Sequence, residues 1–433
     1  MYDLGIVNGK VYLKGKMIQT NLYINNDHIV AYNDAIMPCK DRYNVEGCLV
    51  FPGLIDPHVH FELGLASQSS DDFYSGSITA AYGGVTTFID FLDPVSKGSE
   101  LEEAFNHRHH LAAKSMIDYK FHATVKNPQG EVDNIVEKMK ELGINSVKLF
   151  TTYSDSGRRT YYPEIKQLLK RSREGFVVLV HAEKDSAINI DPKYLAKDLP
   201  ISRPEASETE EALYLASLVE ETGGKLYMVH TSSGHTLEKL IEQYDGLIGK
   251  RFIVESCPQY FYLSEEKLQG EDGDLFTCAP PIRSKESVDL LKTLIKKVNT
   301  IGTDHCPFKA MEKRGKTLAE MPMGIGGVEH AFPLMYTMFG DYAVTKMSVN
   351  PAKVFGLHPQ KGTLDLGTHA DIMIYDPREK RLIDRDHSDS DYTPYKGIEV
   401  QGKVIATINK GQFVIKDGEL VLGSVGHWIK SSH

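Results

Sequence analysis

Eight apolar stretches alternate with helical stretches through the middle of this chain, and this alternation constrains its fold more than any other feature. The predicted strands lie at residues 48–60, 85–91, 119–125, 146–150, 176–183, 225–231, 252–257 and 300–306. Among the stretches between them, residues 131–143 have the apolar i, i+3, i+4 rhythm of a helix and end at Gly143. Eight strands alternating with helices over roughly 310 residues predict an α/β fold, a (β/α)₈ TIM-type barrel.

The two ends of the chain have a different pattern, in which short runs of strand-forming residues alternate with turns. Asn8-Gly9 predicts a β-hairpin near the start, and Asp417-Gly418 predicts a strand-turn-strand unit near the end. We therefore expect one small β-sandwich domain formed by both termini, from residues 1–50 and 362–433. The barrel would occupy residues 51–361.

The composition is ordinary for a globular protein, with 41% hydrophobic and 25% charged residues and a formal net charge of −10. No basic block suggests a nucleic-acid partner, and no apolar run approaches the ~20 residues of a membrane span. The first residues lack the pattern of a secretory signal. Five scattered cysteines are typical of reduced thiols. We therefore expect a cytoplasmic protein without a nucleic-acid or membrane partner.

Several of the predicted strands end in a residue that can bind a metal ion. These residues are His58 and His60 on the first strand, His181 on the fifth, His230 on the sixth and Asp304 on the eighth. Because a TIM-type barrel carries its chemistry at the carboxyl ends of its strands, we expect these side chains to meet. One such histidine alone is more often a hydrogen-bonded core residue. Four histidines and an aspartate together predict a site for Zn²⁺ or a similar divalent ion.

Other residues of ligand type are expected to have structural roles. His107, His109 and His110 lie in a charged helical stretch and are expected to face solvent. Cys306 follows Asp304 by two positions, and we expect it to be a small buried hydrophobic residue rather than a ligand.

Lys148 lies inside the apolar fourth strand, where a charged ammonium group is costly to bury. Its side chain could reach water or pair with an acid. A buried neutral amine could also add CO₂ to give a carbamate, which is an anionic ligand with two oxygens able to bridge two cations. Spacing alone does not choose among these alternatives.

The motifs at the strand ends resemble those of the amidohydrolase superfamily. They are PGLIDPHVHFE (52–62), SVKLF (146–150), VLVHAE (178–183), MVHTSS (228–233) and GTDHCPF (302–308). Residues 69–91, 361–377 and 393–404 are similar to the hydantoinase and dihydropyrimidinase branch, whose members are cyclic amidases. The resemblance covers nearly the whole chain.

The resemblance implies a centre with two divalent ions, zinc or alternatively manganese. The ligands would be His58, His60 and Asp304 for the more buried ion, and His181 and His230 for the more exposed one. Lys148, as a CO₂-derived carbamate, would bridge both ions. The resemblance also implies a homotetramer or a dimer.

The implied reaction is hydrolysis of a cyclic amide or ureide, by a hydroxide that bridges the metals. A dihydropyrimidine or a 5-substituted hydantoin would become an N-carbamoyl amino acid. Asp304 would act as general base and then as general acid. Tyr153 would donate a hydrogen bond to the developing oxyanion. Without the resemblance, Tyr153 would be interpreted as a packed loop tyrosine.

The resemblance also identifies substrate contacts, and the chain departs from the family at several of them. Ala279, in CAPPIR, replaces a serine, and Met323, in PMGIGGVE, replaces an asparagine. The family makes both contacts largely through the main chain, so we expect both positions to bind substrate. Arg158 and Arg159 stand where many relatives have apolar residues. They would face solvent, or one would reach the pocket and pair with an anionic ring substituent.

Two other enzymes and one non-enzyme are the alternatives. Allantoinase is the nearest, because its turn also resembles CAPPIR. Dihydroorotase usually carries an arginine just after the paired histidines, where this chain has Glu62. A catalytically silent scaffold of the same fold is the third, and the complete ligand set argues against it.

Overall fold

The strands and helices follow one another in an order that gives a barrel between two β-rich ends. The computed structural model describes residues 1–64 and 68–431. The strands are β1 (Tyr2–Val7), β2 (Lys10–Leu13), β3 (Lys16–Gln19), β4 (Asn21–Asn25), β5 (His28–Asn33), β6 (Cys39–Asn44), β7 (Leu49–Pro52), β8 (Leu54–Asp56), β9 (Val85–Phe91), β10 (Asp118–Thr124), β11 (Ser146–Phe150), β12 (Val177–His181), β13 (Leu226–Met228), β14 (Phe252–Ser256), β15 (Thr300–Ile301), β16 (Ile372–Leu382), β17 (Glu399–Asn409), β18 (Gln412–Lys416) and β19 (Glu419–Leu420). The α-helices are α1 (Phe73–Tyr82), α2 (Leu101–Ala112), α3 (Val132–Leu142), α4 (Tyr162–Arg171), α5 (Leu199–Ser202), α6 (Glu205–Thr222), α7 (Gly234–Tyr244), α8 (Gln259–Tyr262), α9 (Lys285–Thr293), α10 (Ala310–Lys313), α11 (Ala331–Phe339), α12 (Tyr342–Val344) and α13 (Asn350–Val354).

Strands β8 to β15 form one sheet in which each strand pairs in parallel with its neighbours in sequence. Hydrogen bonds just beyond β8 and β15 close this sheet into a barrel. Asp304 N donates to His58 O at 2.8 Å, and His60 N donates to His305 O at 2.9 Å. The predicted TIM-type barrel is therefore confirmed. Its closure brings the histidine pair of the first strand beside the aspartate of the eighth.

The stretch predicted as the first barrel strand, residues 48–60, is divided between two sheets. Strand β7 pairs with β16 and β2 of the terminal domain, and only β8 belongs to the barrel. Gly53 lies between them, packed so closely on Thr86 that a side chain at this position would collide with it. The sequence does not show this division because both halves of the run are buried and apolar.

Two sheets built from both ends of the chain form a small β-sandwich domain, as predicted. One has the strand order β5-β4-β1-β6, and the other has the order β19-β18-β17-β16-β7-β2-β3. Buried residues from both sheets, such as Ile6, Ile24, Val50 and Ile372, make up its core. The burial of these residues holds the two ends of the chain together.

The hairpin predicted at Asn8-Gly9 is wrong, because β1 and β2 lie in different sheets. Asn8 has a φ of 68°, and a side-chain carbon at Gly9 would lie 2.7 Å from Val45. The turn therefore carries the chain from one sheet to the other. The turn at Asp417-Gly418 does join a pair of antiparallel strands, β18 and β19. The predicted helix at 131–143 is also present, with Gly143 at its end in the left-handed conformation.

The three histidines of α2 do not all face solvent. His107 and His110 are exposed, as predicted. The ring of His109 packs against Phe105 at 5.4 Å and lies 6.3 Å from Trp428. The prediction for His109 is wrong because Trp428, from the far end of the chain, covers this face of the helix. Among the described residues, no helix has the length and apolar character needed to cross a membrane.

Candidate metal centre

The residues predicted to bind metal all line one cavity of about 300 Å³ at the carboxyl ends of the barrel strands. They are His58, His60, Lys148, His181, His230 and Asp304. Asp304 Oδ1 lies 3.1 Å from His58 Nε2 and 3.2 Å from His60 Nε2. His181 Nδ1 lies 3.0 Å from His230 Nε2. The structure therefore brings the two predicted ligand groups to one place.

A buried glutamate that the sequence analysis missed fixes the orientation of His58. Glu255, on β14, accepts hydrogen bonds from His58 Nδ1 at 2.8 Å, from the His230 backbone N–H at 2.8 Å and from Tyr227 OH at 2.6 Å. Because the carboxylate occupies Nδ1, the other ring nitrogen of His58 faces Asp304. Glu255 could have been noticed in the sequence, because it is an acidic residue inside the apolar run FIVES (252–256).

A second buried glutamate that the sequence did not identify, Glu183, fixes the orientation of His181. His181 Nε2 lies 2.6 Å from Glu183 Oε2, which also accepts a hydrogen bond from Arg203. With Nε2 donating to the carboxylate, His181 Nδ1 carries a lone pair and faces His230. Glu183 is buried and lies two residues after His181, so VLVHAE contains both members of the pair.

The donor atoms of this cavity fit a divalent cation. One donor atom from each of His58, His230 and Asp304 lies within 4.8 Å of the other two. Burial lowers the pKa of His58, but the carboxylates of Asp304 and Glu255 outweigh it and raise that pKa to about 9. The site therefore stabilises positive charge between His58 and Asp304. Imidazole nitrogens and a carboxylate are the ligands that zinc prefers.

Asp304 is ionised and its backbone is strained. Burial raises the pKa of its carboxyl group, but His58 and hydrogen bonds from His58 and His60 bring it well below the ordinary value. Asp304 has a φ of 52°, and His230 and Tyr153 also have positive φ values, of 39° and 70°. Each such conformation costs on the order of 1–3 kcal/mol and is typical of functional sites.

Lys148 is buried, and no ion pair among the described residues includes its ammonium group. Its Nζ lies 5.3 Å from the ring centre of Phe91 and 5.5 Å from that of Phe150. Burial lowers the pKa of Lys148 to about 8. In this structure the unmodified side chain neither reaches bulk water nor forms an ion pair with an acid among the described residues. Near neutral pH, a larger fraction of this amine is therefore neutral than of an exposed lysine.

The predicted substrate residues Tyr153, Ala279 and Met323 line the same cavity. Burial raises the pKa of the Tyr153 hydroxyl, so the phenol keeps its hydrogen at neutral pH. Cys306 also lines the cavity, and burial raises the pKa of its thiol. It is buried as predicted and stays protonated, which does not favour a ligand role.

The two neighbouring arginines have different surroundings. Arg158 lines the cavity, and its guanidinium carbon lies 4.2 Å from the ring centre of Tyr153. Arg159 is turned away, and its Nη1 lies 3.2 Å from Asp185 Oδ2. Of these two arginines, Arg158 is therefore the one placed to meet a ligand in this cavity.

A closed barrel whose mouth carries side chains that could hold a cation is typical of metal-dependent barrel proteins. The chain matches the model of the amidohydrolase family over residues 49–325 and 337–414. It belongs to the amidohydrolase family, which implies a divalent metal centre at this site.

Three similar proteins place the chain within the hydantoinase and dihydropyrimidinase branch, as the sequence motifs predict. A D-hydantoinase of Ralstonia pickettii is 32% identical over 447 residues, covering 97% of this chain and 96% of the relative. A D-phenylhydantoinase of Escherichia coli O81 (strain ED1a) is 33% identical over 407 residues, covering 88% and 87%. The crystal structure of dihydropyrimidinase from Brevibacillus agri NCHU1002 superposes with a TM-score of 0.92 at 28% identity, covering 100% and 99%.

Proposed function

We propose that this protein is a cyclic amidohydrolase that opens the ring of a 5,6-dihydropyrimidine or a 5-substituted hydantoin to give an N-carbamoyl amino acid. One observation carries the proposal. The six residues of ligand type and Tyr153 line a single cavity in a chain of the amidohydrolase family. The names of the relatives, D-hydantoinase, D-phenylhydantoinase and dihydropyrimidinase, support this class of substrate.

The donor set supports two divalent ions, for which zinc is our first choice and manganese the alternative. His58, His60 and Asp304 would hold one ion, and His181 and His230 the other. Ions bound in this way lower the pKa of water and polarise a carbonyl group.

Lys148, as a carbamate, would contribute an oxygen to each ion. The neutral amine of Lys148 attacks the carbon of CO₂, an N–C bond forms and one proton is released. The lowered pKa of this lysine supports the reaction. Protein prepared with isotope-labelled bicarbonate should show a carbamate carbon in its NMR spectrum. A spectrum identical to that of a Lys148→Ala variant would contradict the carbamate.

Asp304 is the residue proposed to move the proton. Its carboxylate is ionised at neutral pH and lines the cavity, beside both histidines of the first strand. It would accept the proton of the attacking water and return it to the ring nitrogen that leaves. One carboxylate thus serves as base and then as acid.

Tyr153 is the residue proposed to stabilise the oxyanion. Its hydroxyl is protonated at neutral pH, so it can donate a hydrogen bond to the carbonyl oxygen as negative charge develops there. We expect Tyr153→Phe to lower kcat by roughly 10²–10³ while the metal content stays unchanged. Tyr162→Phe is the matched control, because Tyr162 bonds to Glu211 and does not line the cavity. Unchanged turnover in Tyr153→Phe would refute the assignment.

The substrate ring is proposed to contact the two loops that carry Ala279 and Met323. Lys313, buried on α10, joins these loops, because its Nζ donates to Thr277 O at 2.8 Å and to Gly324 O at 2.6 Å. Main-chain groups held in this way keep their positions whichever side chain is present. This supports retention of the family's main-chain contacts despite the two substitutions.

Ring opening by metal-loaded protein tests the proposal, with dihydrouracil, hydantoin, allantoin and dihydroorotate compared by ultraviolet absorbance. We expect turnover of dihydrouracil or hydantoin. Turnover of allantoin alone would instead support the allantoinase alternative. Dihydroorotate is disfavoured because Glu62, paired with Lys114 at 3.0 Å, occupies the position of the carboxylate-binding arginine. No turnover of any of the four substrates, together with little bound metal, would indicate a catalytically silent scaffold.

Assembly and location are proposed from the same family membership. We expect a homotetramer or a dimer, which a mass measurement in solution would test. We also expect a cytoplasmic protein, which cell fractionation would test.

A further inference from the structure

The cavity at the barrel mouth adjoins a second cleft of about 450 Å³. Four residues line both spaces and so mark the boundary between them: Tyr153, Arg158, Arg203 and Met323. The residues of ligand type occupy the inner end, so the reacting amide must lie there. A substituent on the far side of the substrate ring then points toward this boundary.

The two guanidinium groups at the boundary differ in their partners. Arg203 is neutralised by the buried carboxylate of Glu183. Arg158 makes no ion pair within the described part of the chain, and only its Nε is engaged, donating to Ser156 Oγ at 3.0 Å. Its two terminal nitrogens therefore remain available. The ring of Tyr153, 4.2 Å from its guanidinium carbon, supports the group from one side.

The acidic groups nearby do not neutralise Arg158. Asp93 lines the inner cavity but lies 2.9 Å from His107. In the outer cleft, Asp185 pairs with Arg159, Asp155 is exposed, and Asp191 is half-buried and accepts a hydrogen bond from Lys193 N. A short anionic chain on the ring would reach Arg158, whereas a longer one would extend toward these carboxylates. The charge pattern therefore selects a short substituent.

We propose that Arg158 determines specificity by binding a carboxylate carried on a short side chain of the substrate ring. The preferred substrate would then be an acidic hydantoin or dihydropyrimidine. This inference rests on the proposed function and narrows its range of substrates. A guanidinium offers two parallel N–H groups that match a carboxylate. The ring of Phe150, whose centre lies 5.9 Å from the guanidinium carbon of Arg158, shields part of the group and so strengthens such a pair, while the rest faces solvent.

A pair of substrates that differ only in charge tests this inference. They are the hydantoins bearing a carboxyethyl group and a carbamoylethyl group on the same ring carbon, which have nearly the same size. We expect wild-type protein to prefer the acid by roughly 10- to 100-fold in kcat/KM. The preference should shrink as salt is added, because the boundary is open to solvent.

Three variants test whether Arg158 is the residue that produces the preference for the acidic substrate. Arg158→Gln should abolish the preference, Arg158→Lys should keep part of it, and Arg159→Gln, the matched control, should leave it unchanged. Metal content and the unfolding midpoint are measured for each variant, so that loss of the site is distinguished from loss of the contact. The salt dependence of the wild-type protein tests the inference without any variant.

Each outcome has one meaning. If Arg158→Gln lowers kcat/KM equally for both substrates, Arg158 acts through Tyr153 and the inference is overturned. If wild-type protein hydrolyses both hydantoins without preferring the acid, the inference is overturned and the proposed function stands. If metal-loaded protein hydrolyses neither of these hydantoins but opens dihydrouracil or unsubstituted hydantoin, the inference is overturned and the proposed function stands. If it opens none of these rings, the proposed function fails, and the inference fails with it.

Discussion

Replacing Glu255 by glutamine removes one negative charge from behind the metal centre with little change in shape. Oε1 of Glu255 accepts from His58 Nδ1 and from the His230 backbone, both at 2.8 Å. Its Oε2 accepts from Tyr227 OH, whose oxygen also lies 2.7 Å from Thr300 Oγ1. A glutamine oxygen at the Oε1 position would keep the first two bonds. Its amide group could then donate to Tyr227, whose own hydrogen would turn to Thr300.

The variant should therefore fold but bind metal more weakly. The charge of Glu255 helps to raise the pKa of His58 to about 9, against the opposing effect of burial, so its removal makes His58 a poorer ligand. Loss of such a supporting carboxylate typically weakens metal affinity by about 10–100-fold. This corresponds to roughly 1.4–2.8 kcal/mol of binding free energy.

Competition with a chelator of known affinity measures this effect. Glu211→Gln is the control, because Glu211 is also buried and also bonds to a tyrosine hydroxyl, that of Tyr162 at 3.1 Å, but does not line the cavity. Its metal affinity should equal that of the wild-type protein. Wild-type affinity in a folded Glu255→Gln variant would refute the reasoning. An equal loss in both variants would assign the effect to general destabilisation.

Two further substitutions test the loops and the pH dependence. Lys313→Met removes the donor that joins Thr277 O and Gly324 O. We expect KM to rise roughly tenfold, as measured by steady-state kinetics, and the free energy of unfolding to fall by about 1–3 kcal/mol, as measured by urea unfolding. Unchanged KM would show that Lys313 does not hold the substrate loops. Burial raises the pKa of the Glu211 carboxyl group from 4.5 to about 7 in the folded protein. Because the folded protein holds this proton more tightly than the unfolded chain, the stability of the wild-type protein should fall as the pH rises from 4.5 to about 7. Thermal unfolding of Glu211→Gln should lack that decline, and a decline of equal size would contradict the assignment.

The common location of the candidate ligand residues could be predicted from sequence because all of them except Lys148 stand at the end of an apolar strand. Parallel barrel strands all present their carboxyl ends at one mouth, so a local pattern, repeated along the chain, indicates a common location. The partners of the ligands could not be predicted in this way. Glu255 lies 197 residues from His58. No periodicity connects a carboxylate in one strand with an imidazole in another.

Long-range packing explains the other differences between prediction and structure. Asn8-Gly9 specifies a bend, but the core of the domain decides which sheet the next strand joins. The side of α2 that carries His109 is covered by Trp428, far away in sequence. Arg158 and Arg159 are indistinguishable in the sequence, and only the position of Asp185 separates them. Local sequence thus defines elements and their ends, whereas partners depend on the assembled fold.

The metal content of the purified protein tests the central claim most directly. We predict two divalent ions per chain, with a clear loss in His58→Ala and in His230→Ala. His369→Ala is the control, because His369 belongs to a separate group of ligand-type residues, with Asp27 and His28, in the terminal domain. It should leave the content unchanged. Full metal content in His230→Ala, together with loss in His369→Ala, would contradict the assignment of the barrel mouth as the metal centre.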